Sequence, residues 1–162
     1  MSDVIKVGMA DYKTSKEPDI LTTLGLGSCV GISIYDWKTK IIGMAHVMLP
    51  SSKQAKEVKN RSKFADTAIE DMIEEMLKKG AIRENFIAKV VGGAQMFRTT
   101  TTSSDVMKIG QRNTIASKKK LKEMEIKIVS EDTGGNYGRT IEFYSEDGRL
   151  LVKTIGHGTM VI

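Results

Sequence analysis

The chain has 162 residues, 40% hydrophobic and 28% charged, with a formal net charge of +5. That size and mixture are expected of one globular domain over residues 1–162, large enough to bury a core unaided, and they exclude a disordered or fibrous chain. A single cysteine excludes an internal disulfide, the first residues lack a signal-peptide pattern, and no apolar run approaches a membrane span, so the expectation is a cytoplasmic protein with no membrane insertion.

Residues 4–9 read as a first strand, and 21–24 as a short apolar approach to a glycine-rich turn. Residues 30–35 alternate branched apolar and small side chains, which predicts a strand. Asp36-Trp37-Lys38-Thr39 is a turn, and 41–49 is the returning strand, stopped by Pro50. Residues 62–79 carry the clearest helical period. Ala65, Ala68, Ile69, Met72, Ile73, Met76 and Leu77 form one stripe, the acidic residues lie off it, and Gly80 follows as a stop. Residues 86–91 form a strand running into Gly92-Gly93-Ala94. A second, more polar helix is expected over 110–124, with Ile115, Leu121 and Met124 inward. Residues 126–129 form another strand, and 140–144 with 150–155 form a hairpin about Glu146-Asp147-Gly148. The tail from His157 carries no pattern. About seven strands and two helices with several hairpins predict an α+β fold, an α/β sandwich of mixed, largely antiparallel sheets with two main helices packed on them.

The basic stretches, over 53–63 and at Lys118-Lys119-Lys120 with Lys122, read as a solvated loop and a solvated helix face. Without interleaved aromatics or zinc-finger spacing they do not predict nucleic-acid binding. Met44, Met48, Met72 and Met76 read as core packing, as does Phe97.

The chemistry concentrates on Cys29, at the end of Thr23-Leu24-Gly25-Leu26-Gly27-Ser28-Cys29, and on His46, in Gly43-Met44-Ala45-His46-Val47-Met48-Leu49-Pro50. If the hairpin between them pairs Ile34 with Ile41 and Val30 with Ala45, then Cys29 faces His46 directly across the ladder. Gly31, Ser33 and Gly43 would leave the nearby backbone accessible. A thiol is mostly protonated at neutral pH, and an adjacent imidazole can take its proton and later return it to a leaving amine. Either Thr22 or Thr23 could accept a hydrogen bond from the other ring nitrogen. Gly27 and Ser28 are candidates for substrate contact and oxyanion stabilisation, since glycine allows close backbone approach. The Cys/His inventory holds no zinc set, and neither a metal nor a cofactor is expected.

Six short motifs in order carry a resemblance covering nearly the whole chain. They are the two just quoted, Phe64-Ala65-Asp66, Gly92-Gly93-Ala94-Gln95-Met96-Phe97, Ile109-Gly110-Gln111-Arg112-Asn113 and Glu131-Asp132-Thr133-Gly134-Gly135-Asn136. The sequence resembles the chemoreceptor glutamine deamidases of bacterial chemotaxis, the CheD family. The resemblance implies an α/β sandwich related to bacterial toxin deamidases and a Cys-His-Thr site, with Cys29 as nucleophile, His46 as base and Thr23 as third member. It implies hydrolysis of selected glutamine side chains in chemoreceptor cytoplasmic domains to glutamate, with methylester hydrolysis as a secondary activity. It further implies the chemotaxis phosphatase CheC as a partner. Phe64 departs from a common tyrosine, the threonine-rich 98–105 segment looks variable, and no role attaches to His157. Two other classes compete: a non-catalytic adaptor binding the phosphatase or receptors, and another small thiol hydrolase such as a cysteine protease.

Overall fold

Strands whose residues alternate in size and polarity must bury two different faces, and this chain uses that to build three layers. The computed structural model describes residues 2–96 and 108–162, apart from the side chain of Gln54. In chain order its elements are β1 (Val4–Lys6), β2 (Asp11–Lys16), β3 (Ile20–Leu26), β4 (Val30–Asp36), β5 (Ile41–Val47), α1 (Ala65–Lys78), β6 (Phe86–Gly92), α2 (Ile109–Glu123), β7 (Lys127–Thr133), β8 (Arg139–Tyr144), β9 (Leu150–Thr154) and β10 (Gly158–Val161). One five-stranded sheet has the order β1-β3-β8-β9-β10 and the other β2-β5-β4-β6-β7. Only β1 with β3 and β6 with β7 run parallel. Among the described residues no helix is long and apolar enough to cross a membrane.

The second sheet is the middle layer. On one face Val30, Ile32, Ile34, Ala45, Val47, Ala88 and Val90 pack against the α1 residues Ala65, Ala68, Ile69, Met72, Ile73 and Met76 and against Leu121 of α2. On the other, Cys29, Tyr35, Ile42, Met44 and Val91 meet Leu21, Leu26, Ile141, Phe143, Leu150 and Val152 of the first sheet. The fold is therefore α+β, as expected, with both helices on the outer face of one sheet. Met44, Met72 and Met76 are fully buried, and Met48 packs at the edge of the inter-sheet cluster.

Several expectations change in detail. Ten strands form among the described residues rather than about seven. β2 has the polar sequence Asp-Tyr-Lys-Thr-Ser-Lys, which shows no apolar period, and it is recruited by pairing with β5. β10 pairs with β9 in the tail that carried no pattern. β1 stops at Lys6 because the chain turns at Ala10, whose φ is +58°. In α2 the inward residues are Gly110, Asn113, Ser117 and Leu121, one per turn, while Ile115 is 45% exposed. That face is small and polar because it lies against backbone: a Cβ on Gly110 would overlap the carbonyl oxygen of Ala94. Phe97 and the 98–105 segment lie outside the described residues.

The β4–β5 hairpin also has a different register. Asp36 accepts hydrogen bonds from the amides of Lys38 (2.9 Å) and Thr39 (3.1 Å), and its carbonyl accepts from Lys40 (2.9 Å). Lys40 takes a left-handed φ of +64°. Asp36 therefore ends β4 instead of opening the turn, and Gly31 rather than Cys29 lies opposite His46. The displacement is even, so every side chain keeps its expected face. The small residues do not leave backbone open. A Cβ on Gly31 would meet Ile141 at 2.8 Å, and one on Gly43 would meet Met76 Sδ at 2.8 Å.

Truncating Ile69, fully buried under α1, should lower unfolding free energy by about 2–5 kcal/mol. Ile82→Ala, at 46% exposure, should change it by less than about 0.5 kcal/mol. Urea melts of the two variants measure the contrast.

Candidate active site

Between β3 and β4 the chain passes from the first sheet to the second, and Cys29 lies on that crossing. The β3–β8 pairing shifts register between Thr23 and Leu26, and Gly25 adopts a φ of +67°. The Gly27 amide closes onto the Gly25 carbonyl at 3.0 Å. Main-chain bonds then clamp the segment: Ala94 donates to the Gly27 carbonyl (2.8 Å) and Gly93 to the Cys29 carbonyl (2.9 Å). Asn113 Nδ2 donates to the carbonyls of Ser28 (2.9 Å) and Met48 (3.0 Å). Only glycine fits at 92, where a Cβ would overlap the Cys29 carbonyl oxygen, and at 93, where it would overlap Thr114 Oγ1.

His46 projects from β5 into the space between the sheets, 1% exposed. Thr23 reaches it from β3 in the facing sheet. The Thr23 hydroxyl donates to the Val7 carbonyl at 2.7 Å. Its single proton is thereby used, so in the 2.7 Å contact between Thr23 Oγ1 and His46 Nδ1 it is the ring N–H that donates. Nε2 is then the bare nitrogen, and it is buried with no hydrogen-bond partner among the described residues. Thr22 lies on the opposite face of β3, its hydroxyl on the Ile141 carbonyl at 2.8 Å. Cys29, 8% exposed, joins the same inter-sheet cluster.

The site is electrostatically quiet. Burial pushes the Cys29 thiol up, its own amide opposing this in part. Burial pushes His46 down. At neutral pH the resting forms are therefore a thiol and a neutral imidazole, not an ion pair.

Residues 48–154 match the family described as CheD chemotactic sensory transduction. Across the whole chain, the sequence is 61% identical over 161 residues to the probable chemoreceptor glutamine deamidase CheD of Caldanaerobacter subterraneus subsp. tengcongensis, covering 99% of each. The chain belongs to the CheD family. Another CheD relative, the probable chemoreceptor glutamine deamidase of Syntrophomonas wolfei, is 55% identical over 162 residues, all of both chains. The chemoreceptor glutamine deamidase CheD of Halalkalibacterium halodurans is 49% identical over 159 residues, 98% of each.

Three of the later motifs, at 92–95, 109–113 and 131–136, meet around the Cys29 crossing. Gly92 to Ala94 clamp the Cys29 crossing, and the segment after α2 clamps Gly92 in turn. Gly134 donates to the Gly92 carbonyl (3.0 Å), and Gln95 donates to Gly135 (2.9 Å). Arg139, 1% exposed, binds Asp132 through Nε at 3.0 Å and the Gly134 carbonyl at 2.8 Å. Reading residue types alone missed Asn113, Asp132 and Arg139. Asn113 in the inward period of a polar helix was the available signal. His157 lies against Tyr137, with ring centroids 4.3 Å apart.

Thr23→Val keeps the volume but leaves the His46 ring N–H and the Val7 carbonyl unpaired, and should cost about 1–3 kcal/mol in urea melts. Because the folded-state value of His46 lies below its unfolded value, the unfolded chain takes up the proton first. The His46 contribution is fully present above about pH 6.5 and is lost as pH falls through the folded value. Stability measured across that range should fall less steeply in His46→Gln than in the wild type.

Proposed function

We propose that this chain is a chemoreceptor glutamine deamidase working through Cys29, His46 and Thr23. The observation that supports this reading is the Thr23–His46 hydrogen bond, which leaves a bare, buried Nε2 between the sheets, where Cys29 also packs, with no hydrogen bond joining Nε2 to Cys29 Sγ at rest. As a glutamine side chain enters, Nε2 takes the Sγ proton and the sulfur attacks the carboxamide carbon. The oxyanion is held by the Ser28 main-chain amide, since the Gly27 amide is already bonded to the Gly25 carbonyl, and Gly27, with Met96 packed against it, contributes to the substrate-facing surface. Collapse of the tetrahedral species breaks the C–N bond, and the imidazolium gives its proton to the departing ammonia. Water, deprotonated by Nε2, adds to the thioester carbon. Its collapse releases glutamate and returns the proton to sulfur. Thr23 keeps Nδ1 protonated throughout and so holds the ring in the tautomer that can act as a base.

The family resemblance brings CheC into the proposal as a partner. Binding and chemistry are separable: Cys29→Ala should abolish turnover and leave association with CheC intact.

Peptide mass mapping of a chemoreceptor cytoplasmic fragment tests the reaction. The wild type should convert discrete glutamines to glutamate, while Cys29→Ala and His46→Ala, folded by circular dichroism, should not. Conversion by Cys29→Ala would overturn the mechanism, and backbone cleavage would move the chain to the proteases. The acidic limb of kcat should lie below about pH 6.5, the ordinary imidazole value, because burial depresses His46.

A further inference from the structure

We infer that Asn113 is a positioning residue that stands in for a missing rung between the nucleophile and base strands. The β4–β5 ladder ends at the pair Val30↔Val47. Beyond it the strands part. The amides of Met48 and Leu49 turn to the Lys63 carbonyl, at 2.9 and 3.1 Å, and the other strand becomes the Cys29 crossing. No backbone donor links them there. Asn113, fully buried on α2, reaches into the fork and gives one Nδ2 hydrogen to Ser28 O and one to Met48 O. Cys29 is thus held between this side-chain rung and the last ladder pair.

The direction of the carboxamide is forced. Turned over, Oδ1 would face two carbonyl oxygens with nothing to donate. In the observed direction Oδ1 has no partner among the described residues, so the two carbonyls alone orient the group. Asn113 uses both amide hydrogens to fix the spacing of the two strands that carry Cys29 and His46. The neighbours agree: Gly110 brings α2 close enough that a Cβ there would overlap the Ala94 carbonyl oxygen, and Ser117 donates to the Asn113 carbonyl at 2.7 Å.

This inference rests on the reading of Cys29 and His46 as nucleophile and base. Opening the fork should misalign sulfur and Nε2 and shift Ser28, the proposed oxyanion donor, both effects felt in the transition state, while Gly27 stays held by the Ala94 amide. Asn113→Asp is the isosteric test, because a carboxylate presents only acceptors to the two carbonyls. On a receptor fragment, kcat should fall on the order of 100-fold, as for a misplacement of about 1 Å, with KM little changed. Alkylation of Cys29 by iodoacetamide, a small primary carboxamide, gives a readout that needs no receptor. At neutral pH, Asn113→Asp and His46→Ala should slow it alike, and the double variant should be no slower than either.

A wild-type alkylation rate in folded Asn113→Asp would overturn the inference, as would effects that multiply in the double variant. Equal rates in wild type and His46→Ala would overturn the nucleophile–base reading and the inference with it. Absence of receptor turnover by the wild type would count against the deamidase reading alone, since the alkylation comparison still decides the role of Asn113. If Asn113→Asp does not fold, Asn113→Ala carries the same comparison.

Discussion

Everything at this site depends on how the chain is held as it leaves one sheet for the other. A cysteine on a free crossing would wander. Here the main-chain carbonyls of Gly27, Ser28 and Cys29 each accept a bond from elsewhere in the fold: two from the Gly93–Ala94 amides and one from the Asn113 side chain. The Gly92–Gln95 stretch is itself held by the segment after β7, through Gly134, Gly135 and the buried Arg139 paired with Asp132. The rigidity is largely backbone to backbone, which explains the density of glycine: side chains at 92, 93 or 110 would push apart the segments that must touch.

The two sheets then bury Cys29, His46 and Thr23 between them, and that sets the electrostatics. Desolvation opposes charge on both reacting groups, raising the thiol and lowering the imidazole. Thr23 contributes orientation without charge, where a carboxylate in the same place would stabilise the imidazolium. A neutral hydroxyl there fits a buried site whose thiol and imidazole are both disfavoured from charging at rest.

Much of this arrangement is legible in the chain, for reasons that differ by element. α1 declares itself because its apolar stripe has a single helical reading, although Leu77, counted in that stripe, is 37% exposed where the helix runs out. The shared face of Cys29 and His46 is recoverable from strand alternation alone. The register is not, because it depends on the Asp36 carboxylate turning inward on Lys38 and Thr39 rather than outward to solvent. β2 and β10 are invisible for a related reason: their identity comes from neighbours that offer free ladder edges, not from their own residues. The expectation for Ile115 failed because an apolar residue was taken to mark the inward face, while close backbone approach reserved that face for glycine, asparagine and serine. The choice between Thr22 and Thr23, open on residue type, is one of side-chain direction on β3, and direction cannot be counted when a bulge follows.

The raised thiol has a consequence for endurance. Peroxides attack thiolate, so the burial that pushes the Cys29 thiol up and leaves it 8% exposed disfavours oxidation to sulfenic acid and onward to the irreversible sulfinic acid. Met96 is 46% exposed and close enough to Gly27 that a Cβ there would meet its Cγ at 3.0 Å. Its thioether is open to oxidation to a sulfoxide, a form that cells can reduce. The fold thus buries its one thiol and leaves outside, against neighbouring Gly27, a sulfur whose oxidation can be undone.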